Sequence, residues 1–371
     1  MIRKRWAGSK AWVGGFLLVA GVFITGGVAK SRARVSSDAA FDDKVAAYVR
    51  EKYGIPSNVK LTLDHPFEPS NFPGFLTSTL ISDDGKDSKK TKVFLTNDRH
   101  YLILGELFPV GSDPKREIAE RLRAQYKIPE TTTLTVGPFH KSPYPNLLAT
   151  TVTAETGKTS QNQDFYVTTD NHTLVLGNVL NLGVDLRRTA LKTIVTTNQP
   201  SQGPARAPVI IVEYADLECP MCGRLHQFFE TELLPKYPDK VRIIFKEFPL
   251  TAIHDWSLTA AIANECVYQI KPEAFAPYRT LIFQNQATTN ATNVRDLLLG
   301  YADQVGVDRV TLAGCLDAKA SLPLVEAGLR EGKALDIQST PTCFLNGRTV
   351  VGFSSADAYY QAVDEALKKP K

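Results

Sequence analysis

Hydrophobic and polar positions change rhythm several times along this chain. Ala11 to Ala29, "AWVGGFLLVAGVFITGGVA", carries no charge at all. A run of that length crosses a bilayer marginally, because a spanning helix needs about 20 residues. From Asp43 to Tyr53, and again from Lys115 to Tyr126, apolar residues recur at helical spacing. After each helical stretch come short alternating segments such as "VKLTL", "FLTSTLI", "KVFLT" and "YLILGEL". They predict antiparallel strands separated by turn signals such as Asp83-Asp84-Gly85. From Val209 the pattern becomes strand, helix, strand: "VIIVEYA", then Gly223 to Leu234, then "VRIIFKEF". The solid apolar run Val209 to Val212 suits a central strand covered on both faces. Helical segments fill Trp256 to Leu335, "TPTCFLNGRTVVG" predicts a hairpin turning at Asn346-Gly347, and a helix from Ser355 to Leu367 closes the chain.

The alternating region repeats itself. "EKYGIP" ending at Pro56 matches "AQYKIP" ending at Pro129, a shift of 73, and "KVFLTNDRHYLILGEL" from Lys92 matches "DFYVTTDNHTLVLGNV" from Asp164, a shift of 72. Two α+β copies follow, each one helix plus a small antiparallel sheet, over residues 40–112 and 113–183. Neither copy holds a cysteine or a catalytic cluster, so both read as spacer or interaction modules. A helix near Val184 to Thr197 and the proline- and glycine-rich "NQPSQGPARAP" make residues 184–207 a helix and linker. Residues 208–371 form the last domain. Several domains are what 371 residues require, since one core seldom organises so long a chain.

Charge changes the picture at one end only. The formal balance is +4, yet seven basic residues (Arg3, Lys4, Arg5, Lys10, Lys30, Arg32 and Arg34) precede the first acid, Asp38. Without them the remainder is −3. No basic patch recurs downstream, which argues against nucleic-acid binding. Residues 1–34 therefore read as a targeting segment, either a cleaved signal peptide or a retained membrane anchor. In both cases the positive-inside rule leaves the bulk of the chain outside the cytoplasm.

Five cysteines in an exported chain suggest disulfide chemistry: Cys219, Cys222, Cys266, Cys315 and Cys343. In "YADLECPMCGRLH" the first pair lies where a strand hands over to a helix. Cys219 then meets the unpaired amides and positive dipole end of the helix, which lower its pKa and make it a nucleophile. Pro220 suits the first helical turn. A structural zinc site normally needs four ligands, and this domain offers no second Cys-x-x-Cys; a three-ligand site with His226, or a purely structural disulfide, are the other readings. His226 itself reads as a solvated helix residue. The second element is Thr340-Pro341, where a proline opens a strand and X-Pro bonds can be cis.

Cys-Pro-x-Cys at a helix start, Thr-Pro more than a hundred residues later, and a helical insertion between them resemble the DsbA-like branch of thioredoxin-fold thiol-disulfide oxidoreductases. That resemblance implies an α/β thioredoxin fold, with Cys219 as attacking sulfur, Cys222 as its partner, and a cis-proline loop in which Thr340 and Pro341 meet substrate. It also places an acid six residues before the first cysteine, here Glu213, where a buried carboxylate would relay the Cys222 proton. Lys246 in "IIFKEF" is a candidate partner for Glu213. Met221 departs from the strongest oxidants of the family, which carry a histidine there, so the implied oxidising power is weaker.

A staple between Cys266 and Cys315 is one reading of that pair and buried free thiols the other; Cys343 reads as an inert buried thiol. The repeats, with their "FLTNDRHYLILGELFPVG" ending, are similar to the dimerisation domain of DsbC-like isomerases. Two tandem copies in one chain could instead pair with each other, which would make the protein monomeric. Function then reads as extracytoplasmic exchange of a Cys219-Cys222 disulfide with protein thiols, in the oxidase or isomerase direction. No cofactor is needed, and a membrane redox partner would reset the pair. The competing reading is a membrane-anchored binding or chaperone module with a thioredoxin-like support.

Overall fold

The structure, a computed structural model, describes residues 39–157 and 159–368. The apolar leader and its signal-or-anchor reading lie outside them. No helix among the described residues is long and apolar enough to cross a membrane. The chain divides into two compact units, one of Ser57–Val184 with the chain up to Tyr48, the other of Val49–Pro56 with Asp185–Lys371.

A helix plus antiparallel sheet occurs in duplicate, all of it in the first unit except the end of the first helix, from Val49, which belongs to the second. Helix α1 (Ala39–Tyr53) precedes β1 (Lys60–Leu63), β2 (Glu68–Pro69), β3 (Phe75–Asp83), β4 (Ser88–Thr96) and β5 (Tyr101–Pro109). The order recurs as α2 (Pro114–Tyr126), β6 (Thr133–Val136), β7 (His140–Lys141), β8 (Leu147–Thr156), β9 (Thr159–Thr168) and β10 (Thr173–Asn181). Asp113 caps α2 with its side chain, and Pro114 occupies the first turn, where its missing N–H costs nothing.

Two small sheets were the expectation, and one ten-stranded sheet is what forms. β5 and β10 pair antiparallel along their whole length, with Gly105 opposite Gly177. Those two glycines occupy matching positions of the repeat, so the copies meet across a local two-fold axis. Glycine is required there by close approach: a Cβ on Gly105 would lie 2.1 Å from the Leu176 carbonyl oxygen, and one on Gly177 2.3 Å from that of Leu104. Around the axis Phe72 meets Phe94 edge-on, and the matching Tyr144 meets Tyr166 likewise.

The second unit is built on a five-stranded sheet in the order β11-β13-β12-β14-β15. Its elements are α3 (Leu186–Thr193), β11 (Ser201–Gln202), β12 (Val209–Ala215), α4 (Pro220–Phe228), a π-helical turn (Phe229–Leu233), α5 (Leu234–Lys236) and β13 (Val241–Glu247). Helices α6 (Ser257–Ile270), α7 (Phe275–Gln284), α8 (Val294–Gln304), α9 (Arg309–Asp317) and α10 (Leu322–Ala334) form the insertion. β14 (Thr342–Leu345), β15 (Arg348–Val351) and α11 (Ala356–Lys368) finish the chain. Strands β12 and β13 run parallel, and β14 returns antiparallel to β12. This is the thioredoxin fold with a helical insertion.

Residues 184–207, read from the sequence as helix and linker, pack onto this sheet. Ala190 of α3 is buried with Val212, Tyr214 and Ile244, and β11 pairs with β13. The insertion is stapled by a Cys266–Cys315 disulfide.

Alternation along β12 sorts its side chains. Val209 and Ile211 join one core with Phe228, Tyr359 and Val363, while Val212 and Tyr214 join another with α3. Glu213 therefore projects into the interior on the side of α4 and the insertion.

Candidate active site

The β12–α4 turn presents the two cysteines. Cys219 is the N-cap of α4 and Pro220 its first helical residue. Buried Asp216 ties the turn together. Its carbonyl accepts Cys219 N–H at 3.0 Å, its own N–H points to Cys222 Sγ at 3.5 Å, and its carboxylate accepts the Glu218 and Leu250 amides and holds His254 Nδ1 at 2.7 Å. From the far side Gln286 donates to the Leu217 and Cys219 carbonyls at 2.7 and 3.1 Å. Gly223 admits it, since a Cβ there would sit 2.8 Å from Gln286 Oε1.

Both cysteines are thiols here, and their exposures differ: Cys219 is 8% exposed and Cys222 0%. The Cys222 side chain hydrogen-bonds to Cys219 and, against the opposing effect of burial, helps bring its pKa to about 6. The amides of Cys222 and Met221 add to that. Burial, reinforced by Cys219, drives Cys222 well above the usual thiol range. One sulfur is thus poised as thiolate and the other as thiol, the division that an attacking and a resolving cysteine need.

The Thr340–Pro341 peptide is cis, and the Thr340 carbonyl lies 3.5 Å from Cys219 Sγ. Sequence separation between these two residues is large, and β14, paired to β12, closes it. Glu213 is fully buried with its pKa raised to about 7 by burial, against the opposing pull of Arg279.

Two expectations need correction. Lys246 does not partner Glu213. In the parallel register Glu213 stands beside Phe245 and Tyr214 beside Lys246, so Lys246 faces the opposite way and pairs with Glu331 at 3.0 Å. The partner of Glu213 is Arg279 of α7, at 3.2 Å. His226 is not solvated: it is 2% exposed, lies against the Phe283 ring, pairs with Thr280 Oγ1 at 2.8 Å, and burial lowers its pKa to about 3. Cys343, by contrast, is a buried thiol as read, facing the Tyr359 hydroxyl at 3.4 Å. Among the described residues no group of three His, Cys, Asp or Glu side chains is arranged to hold a metal ion.

Sequence reasoning missed Asp216, His254, Gln286, Glu247 and Arg279. Asp216 alone had a local signal, its place three residues before Cys219 in the turn. The others arrive from β13, the loop after it and the helical insertion, more than 20 positions from the cysteine pair.

A thioredoxin family model matches residues 195–365. The disulfide bond formation protein D of Bacillus subtilis is 28% identical over 176 residues, 46% of this chain and 78% of that protein. A Na(+)/H(+) antiporter NhaA 1 of Salinispora arenicola is 30% identical over 166 residues, 45% of this chain but only 24% of the antiporter's length. The solved structure of oxidised BdbD from Bacillus subtilis aligns with 47% of this chain and 96% of its own, at 26% identity and a TM-score of 0.43. With the cysteine pair, the cis-proline loop and the strand order already in place, the C-terminal part of this chain, residues 195–365, is similar to the thioredoxin family and to a disulfide bond formation protein.

Proposed function

We propose that the chain is an extracytoplasmic thiol-disulfide oxidoreductase that exchanges a Cys219–Cys222 disulfide with protein thiols. The observation that carries it is the split between the two sulfurs, Cys219 at 8% exposure with its pKa near 6 and a sealed Cys222 held well above. A substrate thiolate attacks Cys219 Sγ of the disulfide, the Cys219–Cys222 bond breaks, and Cys222 leaves with the electron pair and takes a proton. A second substrate thiolate then attacks the substrate sulfur of the mixed disulfide and releases Cys219 as thiolate. The substrate gains a disulfide and the protein holds the two electrons.

Hydrogen bonds that stabilise the Cys219 thiolate stabilise the reduced form, which favours donation of the disulfide, the oxidase or isomerase direction. Thr340 and Pro341 would line the substrate, with the Thr340 carbonyl beside the reacting sulfur. Glu213 would hand protons to and from Cys222. Export is supported by the basic, apolar leader and by the Cys266–Cys315 disulfide. A membrane redox partner would reset the pair, a quinone-linked oxidase for an oxidant or a reductase for an isomerase.

Reaction of the reduced chain with iodoacetamide tests this. Cys219 labelling should rise with pH through about 6 and then level off, because the thiolate is the nucleophile, while Cys222 stays unlabelled to much higher pH. Equilibration with glutathione buffers should interconvert thiol and disulfide reversibly. A Cys219 that stays reduced at every glutathione ratio would leave the anchored binding-module reading in its place.

A further inference from the structure

Behind Cys222 three charged side chains meet in the dry interior. Glu213 and Phe245 are cross-strand neighbours, and Glu247 lies two positions beyond Phe245, so all three project from the same face of β12 and β13. Arg279, entering from α7, bridges the acids: one guanidinium nitrogen lies 2.7 Å from Glu247 Oε1, the other 3.2 Å from Glu213 Oε2. The rings of Phe245 and Phe283 each stand 5.0 Å from its guanidinium carbon. Asn264 of α6 adds a hydrogen bond to Glu247 Oε1 at 2.8 Å. Arg279 and Glu213 are 0% exposed and Glu247 2%.

Two carboxylates and one guanidinium carry a net charge of −1 if all are ionised. An uncompensated charge in an apolar interior is removed by taking up a proton rather than tolerated. Among the described residues no second cation pairs with these two carboxylates, since Lys246 turns to the opposite face and Glu331. The other titratable groups that bear on it are acids, Cys219 and Cys222 from α4, Glu230 from the π-helical turn, Cys343 from β14, Tyr359 from α11, Asp216 from the β12–α4 turn and Glu265 from α6, together with His226 of α4, which burial lowers to a pKa of about 3 and so leaves neutral. Glu265 keeps its own proton, with a pKa of about 8 from burial. Each of the two bridged carboxylates retains one oxygen with no hydrogen-bond partner, Glu213 Oε1 and Glu247 Oε2. Those are two places for one proton.

We propose that Glu213 and Glu247 share a single proton across Arg279, and that Glu247 thereby sets the pH at which Glu213 can accept the proton of Cys222. Glu247 and Arg279 are positioning residues in this scheme. The inference rests on the Glu213 relay of the proposed function. In the resolving direction Cys222 gives its proton to the ionised Glu213. The Cys222 thiolate attacks Cys219 Sγ of a mixed disulfide, the Cys219–Cys222 bond forms, and the outer thiol leaves with the electron pair. When the shared proton sits on Glu213 this step stalls; when it sits on Glu247 the step proceeds.

The experiment forms a mixed disulfide between Cys219 of the full chain and a chromogenic aryl thiol, then follows release of that thiol by Cys222 in single turnover across pH. The wild type should show an acid-side inflection, and Glu213→Gln should remove it. Glu247→Gln keeps the size and the Oε1 acceptor for Arg279 and Asn264 but deletes the competing negative charge. Glu213 then ionises more readily, and the inflection should move down by about one pH unit or more, making release about tenfold faster on the acid limb. An inflection lost in Glu213→Gln but unmoved in Glu247→Gln would overturn the sharing and leave the relay intact. An inflection that survives Glu213→Gln would overturn the relay and the sharing with it. Should Glu247→Gln fail to fold, carboxyl-carbon NMR of the wild-type chain decides: Glu213 and Glu247 should titrate through common macroscopic steps, and two independent single-step curves would overturn the proposal.

Discussion

The two units solve the problem of buried polarity in opposite ways. Among the described residues of the N-terminal unit, every buried polar side chain is a hydroxyl: Ser78, Thr132, Ser142, Thr150 and Thr173. The hydroxyls of Ser78, Thr132, Ser142 and Thr150 are each hydrogen-bonded within the unit. Ser78 donates to the His65 carbonyl at 2.6 Å, and Thr150, its match in the second copy, donates to that of Gly137 at 3.1 Å. The C-terminal unit buries Glu213, Asp216, His226, Lys246, Glu247, Glu265 and Arg279. Buried charge is costly unless paired, and a hydrophobic replacement is often as stable. Its concentration behind one cysteine pair marks the unit where protonation states matter, while the hydroxyls of the other unit only pin loops to a sheet.

The largest effect that would break this contrast is chemical. Cys219→Ser should eliminate thiol-disulfide exchange with glutathione completely, measured by thiol trapping, because no other described cysteine is both free and partly accessible. Exchange surviving that change would place the chemistry elsewhere.

A smaller effect separates the two cysteine pairs within one unit. Replacing Cys266 and Cys315 together by alanine opens a loop of 49 residues and should lower unfolding free energy by about 4 kcal/mol on the chain-entropy argument, read from denaturant midpoints. Reactivity of Cys219 below the transition should stay unchanged. A loss of exchange with the fold intact would mean that the staple shapes the site as well as the subdomain.

The smallest effect lies in the repeats. Gly105→Ala forces a Cβ against the Leu176 carbonyl and should cost about 1–3 kcal/mol of overpacking, seen in the unfolding of the N-terminal unit. The labelling profile of Cys219 should not move. If it does, the N-terminal sheet influences the active pair.

Much of the site was legible because it is local. A proline-spaced cysteine pair at a strand-to-helix junction specifies its own geometry, as the N-cap position of Cys219 shows. The repeat was equally visible, since a shift of 72 or 73 needs only the chain laid against itself. The pairing of its copies into one sheet depended on the matched glycines at the two-fold axis, a feature that looks in sequence like two ordinary strand glycines. Lys246 was misread for a related reason. Its strand is apolar and neighbours that of Glu213, but a shift of one residue in register exchanges the faces, and only the folded sheet fixes the register.

The sequence by itself determined the elements, the placing of Cys219 and Cys222 at a helix start and the proline loop, because period, turn residues and helix-end chemistry act over a few positions. Tertiary structure alone decided which charges face the sulfur pair. Arg279 reaches Glu213 from 66 positions away and Glu247 from 32, and Asp216 reaches His254 across 38. Such meetings follow from how helices pack on a sheet, and the pattern of apolar residues sets which face is buried without naming the charged side chain that will arrive there.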